Sequence, residues 1–189
     1  GNDLQKPLIG IVSRLIEQKG FDIVAAASEK IMKDDFYLAA LGTGQPEYER
    51  FLSGLGKKFP GRVSVKIGYD DAMAHRITAA SDIFLMPSRF EPCGLNQMYS
   101  LRYGTIPLVR ATGGLNDTIT GWNAKRKSGN GFVFKKPSPN ALAMTLKKAL
   151  RTFADKRQWT RLTDNAMAGD YSWKKSAKLY LQLYKKVLP

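Results

Sequence analysis

Short apolar runs alternate with segments of helical spacing along this chain of 189 residues, and this alternation most constrains its fold. Apolar runs predict β-strands at residues 7–12, 36–41, 63–67, 82–86, 106–109 and 131–134. Helical spacing predicts helices at residues 21–33, 47–58, 72–80, 94–103, 139–153, 158–168 and 173–187. Most of the apolar runs are continuous, as is typical of parallel strands buried on both faces. We therefore predict an α/β fold with a Rossmann-like, doubly wound parallel sheet of about six strands and extra C-terminal helices.

Composition narrows the classes of function. The net charge is +14, but the basic residues are scattered and do not cluster with aromatic residues on one face, so we expect no nucleic-acid partner. No apolar run approaches the roughly 20 residues that cross a bilayer, and Gly1-Asn2-Asp3 does not resemble a signal peptide, so we expect no membrane partner. With Cys93 and His75 as its single cysteine and single histidine, the chain is expected to hold neither a disulfide nor a metal.

In doubly wound sheets ligands bind beyond the carboxyl ends of the strands, so the turns after the strands are the candidate sites. The turn after the first strand carries two cations, Arg14 and Lys19, and lacks the glycine fingerprint of dinucleotide-binding domains. Two cations at this spacing could neutralise a diphosphate, or could simply be solvated surface charges.

The turn after the fourth strand carries a carboxylate, Glu91, just before a predicted helix. Glu91 could accept hydrogen bonds from sugar hydroxyls, or could serve as the electrostatic complement of the helix start. We expect the helix to begin after Pro92, so that free backbone amides in the segment Gly94-Leu95-Asn96 face an anion. Because no base adjoins Cys93, it is predicted to line the pocket and not to act as a nucleophile.

Two further turns are candidates. Tyr69 ends the third strand, where its ring could stack on a base or pack on neighbouring side chains, and residue type alone favours packing. Thr112-Gly113-Gly114 follows the fifth strand. Its paired glycines permit either a tight turn or a close approach of backbone amides to a ligand.

Three strings occur in order: Ser13-Arg14-Leu15 with Gln18-Lys19-Gly20; Ser88-Arg89-Phe90-Glu91-Pro92-Cys93-Gly94-Leu95; and Arg102-Tyr103-Gly104-Thr105 leading to Thr112-Gly113-Gly114-Leu115. These strings are the most specific part of a resemblance, over residues 6–188, to the bacterial glycogen synthase and plant starch synthase family. Members of this family are retaining glucosyltransferases built from two Rossmann-like domains. The resemblance implies that residues 1–189 are the C-terminal, donor-binding half. The intact enzyme would transfer glucose from ADP-glucose, or UDP-glucose, to the nonreducing end of an α-1,4-glucan.

The resemblance also implies roles for the candidate residues. Those implied to be catalytic are Arg14 and Lys19, which hold the diphosphate, and Glu91, which contacts the glucosyl unit. Those implied to bind the donor are Tyr69 at the base, Leu95 and Asn96 at the phosphate, and Thr112, Gly113 and Gly114 at the sugar and phosphate. Cys93, as pocket lining, and Gly94, which leaves room for a close ligand, are counted with the donor-binding residues. With no covalent nucleophile in view, a front-face or ion-pair route is expected, and no cofactor beyond the donor.

The resemblance leaves gaps. The wider class often carries a second acid eight positions after the first, where this chain has Tyr99, so nothing is assigned to the ribose. The family's N-terminal domain, with its lysine-containing glycine-rich loop and acceptor contacts, has no match here, so the chain alone is expected to bind donor and catalyse little. The alternative is a non-catalytic nucleotide-sugar or glucan-binding module. The expected location is the bacterial cytoplasm, or a plastid if the source is a plant.

Overall fold

The computed structural model describes residues 5–188; the Gly1-Asn2-Asp3 start, Leu4 and Pro189 lie outside the described residues. The strands are β1 Leu8–Val12, β2 Tyr37–Gly42, β3 Val63–Ile67, β4 Ile83–Met86, β5 Ile106–Arg110 and β6 Phe132–Phe134. They form one sheet in the order β3-β2-β1-β4-β5-β6, and neighbouring strands pair in parallel. The predicted fold class and strand number are confirmed. The strand order reverses between β1 and β4, which makes the carboxyl ends of these two strands the topological switch point where such sheets bind ligands.

Helices connect the strands and extend the C-terminal end of the chain. They are α1 Phe21–Ile31, α2 Pro46–Lys58, α3 Asp71–Ala80, α4 Asn96–Tyr103, α5 Gly113–Thr118, α6 Pro139–Ala154, α7 Lys156–Met167 and α8 Trp173–Val187. A single turn of 3-10 helix, Glu17–Lys19, precedes α1. The helices predicted from spacing are all present, and all of their ends lie within two residues of the predicted ones.

The core lies where the central strands meet the apolar faces of the helices. In β4 the first three residues, Ile83, Phe84 and Leu85, are all buried, as a strand covered on both faces requires. In α1 the buried residues Val24, Ala27 and Ile31 recur at helical spacing. Each large apolar side chain buried in this way contributes roughly 1.5–3 kcal/mol, so the central strands form a rigid base for the turns at their carboxyl ends.

The start of α4 differs from the prediction. The helix begins at Asn96 with Leu95 as its N-cap, and not after Pro92. Gly94 has a φ of +73°, a left-handed conformation that interrupts helical backbone and favours glycine. Pro92 is therefore part of the turn and not of the first helical turn.

The Gly113-Gly114 segment also differs from the tight turn considered for it, because it opens the short helix α5 with Thr112 at its N-cap. The backbone amide of Gly114 donates to the carbonyl oxygens of Glu91 and Pro92, at 3.1 and 3.3 Å. These long-range bonds fix a glycine pair in a helical start that local sequence does not favour.

Helix α8 has the predicted ends, and its surface is exposed. Ser172 caps it by accepting a hydrogen bond from the amide of Lys175. None of its residues is buried, and large apolar side chains including Leu179, Leu183 and Tyr184 are exposed. Within residues 5–188 no helix is both long and apolar enough to span a bilayer.

Candidate functional site

The turn after β1 carries two cations, of which one is exposed and the other forms an ion pair. Arg14 is exposed, and no side chain in residues 5–188 forms an ion pair with its guanidinium. Lys19 closes the 3-10 helix, and its Nζ lies 2.5 Å from Oε2 of Glu91. The sequence places Lys19 and Glu91 on separate turns, and the fold brings them together at the switch point.

Glu91 is 6% exposed. Besides Lys19, its carboxylate accepts a hydrogen bond of 3.1 Å from the hydroxyl of Ser88. A buried carboxylate is tolerated when it is paired and hydrogen-bonded in this way. Glu91 is thus held at the edge of the sheet by two partners on two different turns.

The backbones of the two turns are also joined directly. The amides of Arg89 and Phe90 donate to the carbonyl oxygen of Gln18, at 2.8 and 3.4 Å. The side-chain amide of Gln18 donates back to the carbonyl oxygen of Phe90 at 3.2 Å. Three hydrogen bonds therefore set the register between the turn after β1 and the turn after β4.

A second ion pair joins the same turns. The guanidinium of Arg89 donates from Nε and Nη2 to the carboxylate of Asp22, in the first turn of α1. The Asp22 carboxylate raises the pKa of Arg89 above its usual value, chiefly through these hydrogen bonds. The pair is only half-buried, so it lies at the rim of the site.

Arg110, the last residue of β5, holds the turn after β4 from the other side. Its Nε donates to the carbonyl oxygen of Ser88 at 2.7 Å, and its Nη2 donates to that of Arg89. Burial lowers the pKa of Arg110, and the neighbouring charge of Arg89 lowers it further. The guanidinium therefore donates its hydrogen bonds to backbone oxygens of the site and is not free for a ligand.

The start of α4 is fixed by its own side chains. Asn96 donates from Nδ2 to the carbonyl oxygen of Val12 at 3.2 Å, which ties the helix to the end of β1. Gln97 donates to the carbonyl oxygens of Cys93 and Gly94, at 3.2 and 2.8 Å. The exposed residues here are Cys93 and Leu95. The helix start therefore lies beside β1, and its first amides are those of residues 96 and 97, where the prediction gave residues 94–96.

Gly113 and Gly114 pack against backbone. A Cβ at Gly113 would overlap the carbonyl oxygen of Glu91, and a Cβ at Gly114 would overlap that of Cys93. The glycine pair therefore lets the turn after β5 lie directly on the turn after β4. This packing explains the two glycines, and the prediction that the segment also faces the donor stays a prediction.

Tyr69 is 87% exposed, so the packing alternative for this residue is wrong. It stands between Gly68 and Asp70 at the carboxyl end of β3. Asp70 caps α3 by accepting from the amide of Met73 at 2.9 Å, and pairs with Lys66 at 2.6 Å. The tyrosine ring is available to a ligand on a backbone that is fixed on its C-terminal side.

Tyr99 and His75 occupy the groove between α3 and α4. Their ring centroids lie 6.3 Å apart, and Nδ1 of His75 is 3.1 Å from the hydroxyl of Tyr103. The position where the wider class often carries a second acid is therefore part of an aromatic cluster.

Five residues that form hydrogen bonds or ion pairs within the site were not predicted as site residues from the sequence: Gln18, Asp22, Ser88, Arg89 and Arg110. Three of them lie inside the motif strings, which was the available signal. Their partners are as far as 72 residues away along the chain, and neither spacing nor periodicity indicates such pairs.

Cavities of about 650 and 830 Å³ lie away from these turns, the first near Lys6 and Asp82 and the second between Trp122 and α7. Neither is lined by Arg14, Lys19 or Glu91. No group of three metal-ligating side chains occurs within the described part of the chain. The candidate site is a surface across the carboxyl ends of β1, β4 and β5.

Comparison with known proteins shows the family and the fold of the chain. Residues 1–166 match the family model for glycosyl transferases group 1. The glycogen synthase of Kosmotoga olearia is 50% identical over 96% of this chain, and that of Koribacter versatilis is 48% identical over 95%. The chain spans 38% and 37% of the lengths of these relatives.

The solved catalytic domain of starch synthase IV from Arabidopsis thaliana, bound to ADP and acarbose, superposes with a TM-score of 0.88 at 35% identity. The match covers 97% of this chain and 39% of that one. These similarities confirm the resemblance indicated by the three strings and the predicted Rossmann-like fold.

Proposed function

Because the chain belongs to the group 1 glycosyltransferases, we propose that it is the donor-binding part of an enzyme that transfers glucose from ADP-glucose to the nonreducing end of an α-1,4-glucan. The observation that carries this proposal is the Lys19–Glu91 pair at the switch point, beside the unpaired Arg14. Its two cations suit a diphosphate, and its carboxylate suits sugar hydroxyls. The glycogen synthases at 48–50% identity support the choice of reaction.

Donor binding would exchange the partners of Lys19. In the free chain its ammonium neutralises Glu91, whose carboxylate also accepts from Ser88. A diphosphate placed between Arg14 and Lys19 attracts the ammonium, and the Glu91 carboxylate then becomes an acceptor for hydroxyls of the glucosyl unit. The two cations stabilise the charge that develops on the departing diphosphate, which is where electrostatic catalysis is most effective.

The same proposal assigns the base and the remaining amides. The exposed ring of Tyr69 lies against adenine, and the first amides of α4 with the Thr112-Gly113-Gly114 segment face the phosphates and sugar. ADP in the starch synthase IV structure supports adenine over uracil. No cofactor beyond the donor is invoked.

The glucan acceptor belongs to a second domain in this proposal. The chain spans 38% of the length of the Kosmotoga olearia relative, and its candidate site is exposed at Arg14 and Tyr69. The uncovered apolar residues of α8 supply a surface for that domain. We expect this chain alone to bind donor and to catalyse little. The bacterial relatives support a cytoplasmic location.

Calorimetric titration tests donor binding. We expect the 189-residue chain to bind ADP-glucose and ADP more tightly than UDP-glucose. Arg14→Ala should weaken ADP-glucose binding at least about tenfold, because a charge-assisted phosphate contact is lost. Arg50→Ala, at an exposed arginine on α2, is the matched control and should change nothing. Failure of all three ligands to bind would overturn the proposal and favour the non-catalytic glucan-binding module.

A further inference from the structure

Two ion pairs span the same two turns side by side. Lys19 pairs with Glu91, and Asp22, three residues after Lys19, pairs with Arg89, two residues before Glu91. The first pair belongs to the candidate site. The second has no role in the proposed chemistry, and no part of the resemblance assigns one to it.

The two pairs differ in environment. The Lys19 and Glu91 side chains are 18% and 7% exposed, whereas those of Arg89 and Asp22 are 39% and 31% exposed. A pair as exposed as Asp22–Arg89 contributes little to global stability. Its geometry is nevertheless specific, because a planar guanidinium that donates from two nitrogens to one carboxylate fixes both distance and orientation.

Arg89 is held on three sides. Its side chain binds Asp22, its amide donates to the carbonyl oxygen of Gln18, and its own carbonyl oxygen accepts from Arg110. Glu91 follows within the same turn and Lys19 follows Gln18, so the position of Arg89 sets how the two charged side chains face each other.

We propose that the Asp22–Arg89 ion pair positions Lys19 and Glu91 relative to each other. Lysine carries its charge on a flexible stem, so its ammonium needs an anchored backbone to sit reproducibly against one carboxylate oxygen. The ion pair anchors α1 to the turn after β4 on the side away from Arg110. Its importance for donor binding rests on the proposed function, whereas its effect on the Lys19–Glu91 pair does not.

A set of unfolding measurements in urea isolates this effect. Lys19→Met, Glu91→Gln and the double variant are made with Asp22 present and again with Asp22→Asn. With Asp22, we expect Lys19 and Glu91 to be coupled by at least about tenfold in the unfolding equilibrium constant. In the Asp22→Asn background, the coupling should fall below about twofold.

Two controls separate positioning from general stability. Asp22→Glu keeps a carboxylate and should preserve most of the coupling. Asp35→Asn removes the partner of Lys6 in another ion pair of the domain, and should leave the Lys19–Glu91 coupling intact. The proposal is overturned if Asp22→Asn lowers stability but leaves the coupling between Lys19 and Glu91 unchanged.

Titration with ADP-glucose then extends the result to the ligand. We expect Asp22→Asn to weaken binding roughly three- to tenfold, and to add nothing once Lys19→Met is present, because both act through one contact. If the coupling depends on Asp22 while the wild-type chain binds no nucleotide sugar, the positioning role stands and the proposed function fails. Additive losses of affinity in the double variant would instead count against positioning.

Discussion

The two ends of the candidate site are built in opposite ways. At the end predicted to take sugar and phosphate, the turns after β1, β4 and β5 are joined by two ion pairs and by backbone hydrogen bonds. At the end predicted to take the base, Tyr69 stands almost wholly in solvent. In a prearranged site the side chains lose their conformational entropy during folding. An exposed side chain loses it only when the ligand binds. We therefore expect the Lys19–Glu91 pair to be ordered in the free chain, and the ring of Tyr69 to become ordered only when a ligand binds.

The largest expected effect tests the prearranged end. Lys19→Met leaves the carboxylate of Glu91 buried without its cation, and removing one partner of a buried pair costs about 3 kcal/mol or more. We expect the free energy of urea unfolding to fall by that amount, and ADP-glucose affinity to fall with it. Lys57→Met, at an exposed lysine on α2, is the control and should stay near wild type. A stability loss below about 0.5 kcal/mol for Lys19→Met would show that the charged end is not prearranged.

The next effect tests the packing of the turns. Gly114→Ala would press a methyl group into the carbonyl oxygen of Cys93, and overpacking of this kind costs about 1–3 kcal/mol. Thermal unfolding measures it. Gly54→Ala in α2 meets no neighbour and should instead stabilise the chain by about 0.5–1 kcal/mol. Equal melting temperatures for the two variants would contradict the packing described for the turn after β5.

A smaller effect tests the exposed end. Tyr69→Ala should leave stability within about 0.5 kcal/mol of wild type, as for most exposed positions. It should weaken ADP-glucose binding about tenfold, since stacking on a base is worth about 1–3 kcal/mol. Tyr69→Phe keeps the ring and serves as the control. Calorimetry measures the binding and thermal unfolding measures the stability of the same samples. If Tyr69→Ala destabilised the chain as strongly as Lys19→Met, the contrast between the two ends of the site would be wrong.

The smallest effect concerns the cap beside Tyr69. The hydrogen bond from Lys66, with that from the Met73 amide, lowers the pKa of Asp70 below its usual 3.8. Because the folded-state pKa is depressed, the cap stabilises α3 above pH 3.8 and is lost as the pH falls through the lower, folded value. Amide exchange of Met73 should lose protection in that acid range. Asp70→Asn still caps but cannot titrate, and an equal acid loss in that variant would exclude this cause.

Prediction from sequence succeeded where local pattern and burial agree. The bounds of β3 and α8 are as predicted, and the continuous apolar runs predicted the parallel sheet of six strands. The strand order, with its switch point between β1 and β4, comes from the structure. Lys19 and Glu91 were both identified because each occupies a turn at the carboxyl end of a strand. Topology then brings these turns together without any further information.

Prediction failed where distant backbone overrides local preference. The sequence Gly113-Gly114 favours a turn, but bonds from its amide to the turn after β4 make it helical. Likewise, α4 does not begin at Pro92, although a proline often occupies the first position of a helix. The left-handed backbone of Gly94 delays the start of the helix to Asn96. The Asp22–Arg89 pair joins residues 67 positions apart, and no periodicity in one sequence encodes which carboxylate an arginine will meet.

Helix α8 has a thermodynamic consequence. Isolated helices of about 12–15 residues are marginal in water, and α8 has 15 residues with none buried. Its helix–coil equilibrium is therefore linked to whatever covers its apolar side chains. A surface that binds the helical form more tightly than the unfolded form raises the helical population. The increase is limited by the ratio of the two affinities. If the proposed second domain covers α8, we expect the exchange of its backbone amides with solvent to slow.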